Sequence, residues 1–184
     1  MAVKKDKDSV SNSLEKFPRK WMLFSVLFLT IVIYSNSLSN QFIFNWDDGE
    51  YIVHNKYIKD LSFEGIKTIF TTFNLGNYHP LTTISNGIEY FLFGLNPKPF
   101  HFFNLLLHLG NTVLVFLLIE LLCKKKEVAF FVSLFFAIHP MHVESVSWIS
   151  ERKDVLYSLF YLSALISYTR YVQGEQKIKQ LLIT

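Results

Sequence analysis

The sequence predicts an all-α, polytopic membrane helix bundle. It has about four transmembrane helices, an N-in/C-in orientation and a helical outer loop between helices one and two. Three observations carry this reading. The 184 residues are 51% hydrophobic, with 19 Phe and 9 Tyr. Four apolar runs fall at about 21–38, 99–122, 126–142 and 155–172, each near the length that spans a bilayer core. Lysine and arginine are unevenly divided, twelve on the segments read as inside and six on those read as outside. The net charge of +3 is mostly this orientation signal, so it does not point to nucleic acid.

The first twenty residues form a cytoplasmic basic tail with Lys4, Lys5, Lys7, Lys16, Arg19 and Lys20. No small-x-small cleavage pattern follows the first span, which therefore reads as a retained anchor with Trp21 at the inner interface. Residues 39–98 are the outer loop. Asp60 is placed to cap a helix in which Phe63, Ile66, Phe70 and Phe73 recur at helical spacing, as in a helix lying in the interface plane. Asn74-Leu75-Gly76-Asn77 ends it. Pro80 suits the first turn of a second helix, and Gly94-Leu95-Asn96-Pro97 turns the chain into span two.

Span two carries His101, Asn104, His108 and Asn111, which lie within about 80° of one another on a helix. Such a stripe faces protein or a cavity rather than lipid. Span three is the weakest, because its purely apolar run, Val128 to Ile138, is short. Span four ends near residue 172. Residues 173–184 read as a basic inner tail or the start of a fifth span, so a fragment of a larger polytopic protein is expected. Cys123 is the lone cysteine, which excludes an internal disulfide.

Two polar clusters fall on the predicted outer side. The first is Asn45-Trp46-Asp47-Asp48-Gly49-Glu50, where Asp47 or Asp48 could act as a general base on an acceptor hydroxyl or could simply cap a helix. The second runs from His139-Pro140-Met141-His142-Val143-Glu144 to Glu151-Arg152-Lys153-Asp154. Arg152 can grip a phosphate through its planar fork, and Lys153 adds a point charge. His139 and His142, three apart, are the pair that could hold a divalent metal, although Pro140 breaks the helix between them. His79, before Pro80, and His101, near the outer end of span two, are further candidates for substrate contact, as are Glu144 and Asp154.

The order of these pieces is more specific than any one of them. Trp-Asp-Asp follows span one. Tyr78-His79-Pro80-Leu81-Thr82 comes next, then Gly-Leu-Asn-Pro, then Phe100 to His108 as Phe-His-x-x-Asn-x-x-x-His. Ala137 to Val146 follows as Ala-Ile-His-Pro-Met-His-Val-Glu-Ser-Val. Over residues 40 to 172 this resembles the N-terminal membrane part of the transmembrane O-mannosyltransferases that carry tetratricopeptide repeats, and their bacterial relatives. The resemblance implies a GT-C type glycosyltransferase that moves a sugar, with mannose expected, from a polyprenyl-phosphate carrier to an acceptor hydroxyl on protein. It implies an acidic base from the first outer loop, here Asp47 or Asp48, and a basic residue holding the lipid phosphate, here Arg152. Where the family commonly reads Gly-Arg-Ala-Asp, this chain has Glu151-Arg152-Lys153-Asp154. Family members also have about twice as many spans, so this piece alone is expected to be inactive. The expected setting is a bacterial inner membrane with the active face periplasmic. The competing readings are a non-enzymatic membrane assembly or partner-binding subunit, and a lipid-carrier transporter.

Overall fold

The computed structural model describes residues 17–174, so the expectations for the N-terminal tail before residue 17 and for residues 175–184 lie outside the described residues. Among the described residues every regular element is helical. The longer helices are α1 Arg19–Tyr34, α2 Phe63–Thr71, α3 Pro80–Phe93, α4 Pro97–Cys123, α5 Lys126–Ile138, α6 His142–Ser147 and α7 Arg152–Val172. Short helical turns occupy Ser35–Ser39, Gly49–Val53, Tyr57–Lys59 and Ile149–Glu151.

Two stretches are long and apolar enough to cross a membrane: Arg19–Ser39, with 21 residues, and Pro97–Cys123, with 27. They coincide with the first two expected spans. The third expected span is shorter than the sequence reading, because α5 stops at Ile138 after 13 residues. Pro140 disfavours the α conformation at the residue before it, and His139 is extended, at φ −66° and ψ 131°. Thirteen residues rise about 20 Å, against roughly 30 Å for a hydrocarbon core. Helix α7 has 21 residues but opens on Arg152-Lys153-Asp154 and carries Arg170 in its last turn.

The chain divides into two compact units. The first draws on residues up to Ile33, Leu109–Pro140 and the chain from Ser158. Met22, Phe116 and Ala129 form its core. At its charged end Arg19 pairs with Glu120 at 3.1 Å, and Lys126 Nζ donates to the Phe17 carbonyl at 3.1 Å. Lys124 Nζ donates to Gln173 at 3.2 Å.

The second unit comprises Tyr34–His108 and Met141–Tyr157 and holds both polar clusters except His139-Pro140. Its core is Phe42, Ile52, Ile58, Phe100 and Ile149. Helix α2 begins two residues later than the Asp60 cap anticipates. Ser62 is the cap and accepts from the Gly65 N–H at 3.2 Å, while Asp60 accepts from the Ser62 N–H at 3.0 Å and shapes the approach. Asn74 and Asn77 exchange two backbone hydrogen bonds of 2.9 Å across a tight turn. Leu75 and Gly76 in its centre take φ of 50° and 78°, the left-handed pair that a two-residue hairpin turn requires. Pro80 opens α3 as expected, and Gly94, at φ 63°, closes it.

Candidate functional site

Asp48 joins two segments far apart in sequence. Its side chain is 1% exposed. Oδ2 accepts from the Ile43 N–H at 3.0 Å. Oδ1 accepts from the Ser150 N–H at 3.1 Å and from the Ser150 hydroxyl at 2.5 Å. Asp48 does not cap the Gly49–Val53 turn that follows it. Three donors on a buried carboxylate fix it in place. Trp46 and Trp148 pack beside this junction, ring centroids 5.2 Å apart. Asp47, the next residue, is half-buried, and its carboxylate has no hydrogen-bond or ion-pair partner among the described residues. The two aspartates are therefore unlike: one is tied down, the other open.

Gly49 makes the close turn after Asp48 possible. A Cβ there would sit 2.3 Å from the Phe44 carbonyl oxygen. Gly49→Ala should therefore cost about 1–3 kcal/mol, the usual range for overpacking. Thermal unfolding in detergent checks this; an unchanged melting temperature would mean that the backbone does not pack so tightly.

Arg152, expected to grip a phosphate on the outer side, lies in the interior at 0% exposure. Its Nε donates to Asn104 Oδ1 at 2.8 Å and its Nη2 to the Phe100 carbonyl at 2.8 Å. Its Nη1 forms a buried ion pair with Glu89. Asn104 extends the network by donating to the Trp148 carbonyl at 3.0 Å. With no exposed surface, this guanidinium organises the unit from within. The span-two stripe is buried as expected, with His101, Asn104, His108 and Asn111 all at 2% exposure or less. His101 makes no well-formed hydrogen bond through either ring nitrogen and feels the charges of Asp48 and Arg152.

Glu89 is electrostatically perturbed by its burial. Burial pushes its carboxyl up to about 7, against the pull of Arg152. Its second oxygen, Oε2, is buried and without a partner, which disfavours the charged form further. The folded protein holds this proton more tightly than the unfolded chain does. Glu89 thus adds stability that is complete below its ordinary value of 4.5 and lost as pH rises through about 7. Glu89→Gln removes the titrating group. Its melting temperature should fall less than that of the wild type between about pH 5 and about pH 8. Equal falls in both proteins would mean that Glu89 is not the source.

The remaining candidates surround a small polar cavity or lie apart from it. His79 lines the cavity together with Asn74, Asn77, Asn86, Ser150 and Lys153. Lys153 Nζ is paired to Glu151 at 2.7 Å. Asp154 accepts from the Ser145 hydroxyl at 3.0 Å, outside the cavity lining. His142 packs its ring against His108, centroids 5.6 Å apart, and Glu144 is exposed. His139 belongs to the first unit. Among the described residues, no three His, Cys, Asp or Glu side chains converge as metal ligands.

Comparison with known proteins adds an independent line. Protein O-mannosyl-transferase TMTC1 of Mus musculus is 41% identical over 95 residues, 51% of this chain and 10% of the relative. Protein O-mannosyl-transferase TMTC3 of Homo sapiens is 33% identical over 147 residues, 74% of this chain and 16% of the relative. Protein O-mannosyl-transferase TMTC4 of Homo sapiens is 31% identical over 183 residues, 87% of this chain and 24% of the relative. The chain is a homologue of the protein O-mannosyl-transferases. It spans about a quarter or less of the length of these O-mannosyl-transferase relatives. No family model and no solved structure matches it.

Sequence reasoning missed two residues of this O-mannosyl-transferase homologue. Glu89 gave no clear signal, because the apolar residues around it on α3, Leu81, Ile88 and Phe91, are exposed while the carboxylate is buried. Ser150 gave none either, because a serine in a loop gives no hint of a carboxylate 102 residues away.

Proposed function

We propose that the chain is the N-terminal membrane part of a GT-C type glycosyltransferase that moves mannose from a polyprenyl-phosphate carrier to a protein hydroxyl. Asp47 is the general base. Its half-buried, unpartnered carboxylate is the observation that carries this choice, because a base needs a lone pair free to meet the incoming hydroxyl. Asp48 is the positioning residue that fixes the turn carrying Asp47. Lys153, paired to Glu151 at 2.7 Å, is the cation assigned to the donor phosphate, and Arg152 holds its own end of α7 in register through Glu89 and Asn104. Transfer is by direct displacement: the acceptor oxygen forms its bond to the anomeric carbon, the bond to the phosphate oxygen breaks, and Asp47 takes the hydroxyl proton. The relatives' printed activity and the two membrane-length helices support this reading.

The deciding experiment is transfer of labelled mannose from synthetic polyprenyl-phosphate mannose to a Ser/Thr peptide. It is run on the whole reading frame reconstituted in liposomes. Transfer that depends on Asp47 supports the reading; no transfer to any hydroxyl peptide moves the partner-binding reading ahead.

The same reading places the active face outside the cytoplasm, periplasmic in a bacterial host, with four spans and both ends inside. Cysteines at Lys59 and Lys125 should then label oppositely, Lys59 from outside and Lys125 only after permeabilisation. Labelling of both from outside would overturn the four-span topology.

A further inference from the structure

The cavity beside Ser150 holds two buried polar atoms that the protein leaves unsatisfied. Asn86, on α3, is 3% exposed, and its Oδ1 has no hydrogen-bond partner. Asn74, in the turn before α3, has a buried Nδ2 with no partner. Both residues line the same cavity. Buried amide atoms are nearly always paired, so orphans on two residues that line one cavity mark a place where something else completes them.

Their chemistry restricts what that can be. One orphan is an acceptor and the other a donor. A phosphate offers only acceptors and an ammonium only donors, whereas a hydroxyl does both. The other lining groups fit the same choice. Asn77 and the hydroxyls of Tyr51, Thr82, Thr83 and Ser150 are neutral, His79 adds an imidazole edge, and Lys153 is already paired to Glu151 at 2.7 Å. The space is small as well, about 20 Å³ for the centre of a water-sized group, which is room for one or two hydroxyls but not for a whole ring. The walls are held firmly. Asn77 Nδ2 donates to the Tyr51 hydroxyl at 2.6 Å, the 74–77 turn is closed by two backbone bonds of 2.9 Å, and Ser150 is tied to Asp48.

We infer that this cavity is a hydroxyl-reading subsite, in which Asn86 and Asn74 take up one edge of the donor sugar and select it by the position of its hydroxyls. The inference rests on the proposed glycosyltransferase reading and adds to it the residues that recognise the sugar. A site built to hydrogen-bond a hydroxyl rejects analogues lacking it, because its buried polar atoms are then left bare.

The test is binding by the product of the whole reading frame in lipid nanodiscs, with short-chain polyprenyl-phosphate mannose as probe. Its four single-deoxy analogues and the bare polyprenyl phosphate are compared beside it. One deoxy position should weaken binding by roughly tenfold in the wild type, the worth of one buried hydrogen bond. Asn86→Leu should erase that preference while leaving affinity for the bare polyprenyl phosphate unchanged. Should Asn86→Leu fail to fold, Asn74→Ala, at the edge of an exposed turn, carries the same test. A deoxy preference that survives in the variant, or equal binding of all four analogues by the wild type, overturns the subsite and leaves the glycosyltransferase reading standing. Failure to bind either the mannosylated or the bare polyprenyl phosphate overturns both.

Discussion

Asp47→Asn should lower transfer by roughly 10²–10⁴-fold, the usual worth of a general base. The swap keeps size and shape and removes only the ability to take a proton. Because Asp47 is half-buried and makes no hydrogen bond, expression and melting temperature should not change. Asp48→Asn separates the two roles. It replaces an acceptor-only group that holds Ile43 and Ser150 with an amide whose nitrogen faces a donor. It should therefore lower stability and activity together, as expected of a residue that acts through its neighbour. If Asp47→Asn retained activity within about twofold, it would not be the base. Asp48 would then have to serve from inside its three hydrogen bonds, and the enzyme reading would weaken.

Arg152→Ala should cost about 3–5 kcal/mol of stability, the range for removing one partner of a buried ion pair. The loss has three parts: Glu89 is left without a counter-charge, Asn104 Oδ1 loses its donor, and the Phe100 carbonyl loses its donor. Arg152→Lys retains a charge but cannot present three donors in a plane, so it should recover only part of the loss. The decisive variant is the double replacement Arg152→Met with Glu89→Leu. Buried pairs replaced by apolar side chains are often neutral or better, so the double variant should be more stable than Arg152→Ala. Chemical or thermal unfolding in detergent gives the ranking. A double variant as unstable as the single one would mean that Arg152 is held chiefly by Asn104 and Phe100 and that its charge matters little.

Much of the architecture is legible in the sequence, and the reasons differ by element. The first two expected spans are long and predominantly apolar, and composition alone finds those. The stripe His101, Asn104, His108 and Asn111 shows by its periodicity that it is not lipid-facing, and all four side chains are buried. Pro80 and Gly94 mark the two ends of α3 because backbone stereochemistry leaves few other places for them. The site is harder to read. Asp47 and Asp48 are neighbours of identical type, and nothing local distinguishes the tied one from the open one. The difference comes from Ser150, far along the chain. Arg152 looks like a surface residue because Glu151, Lys153 and Asp154 flank it, yet at the start of α7 only one of these four directions points inward. The Ser62 cap was displaced from Asp60 because both can cap, and the exposed Asp60 instead orders the residue that does.

The bond between Asp48 and Ser150 also sets an order of events during synthesis. The two residues are 102 positions apart, and at ordinary translation rates the ribosome needs roughly 5–20 s to cover that distance. Throughout that interval Asp48 has left the ribosome without the serine that will hold it. The segment that bears Asp48 must wait until the 141–154 segment has been made. The turn bearing Asp47 therefore cannot gain the Ser150 bonds that hold its neighbour until late in synthesis, although it is among the first parts of this unit to be made.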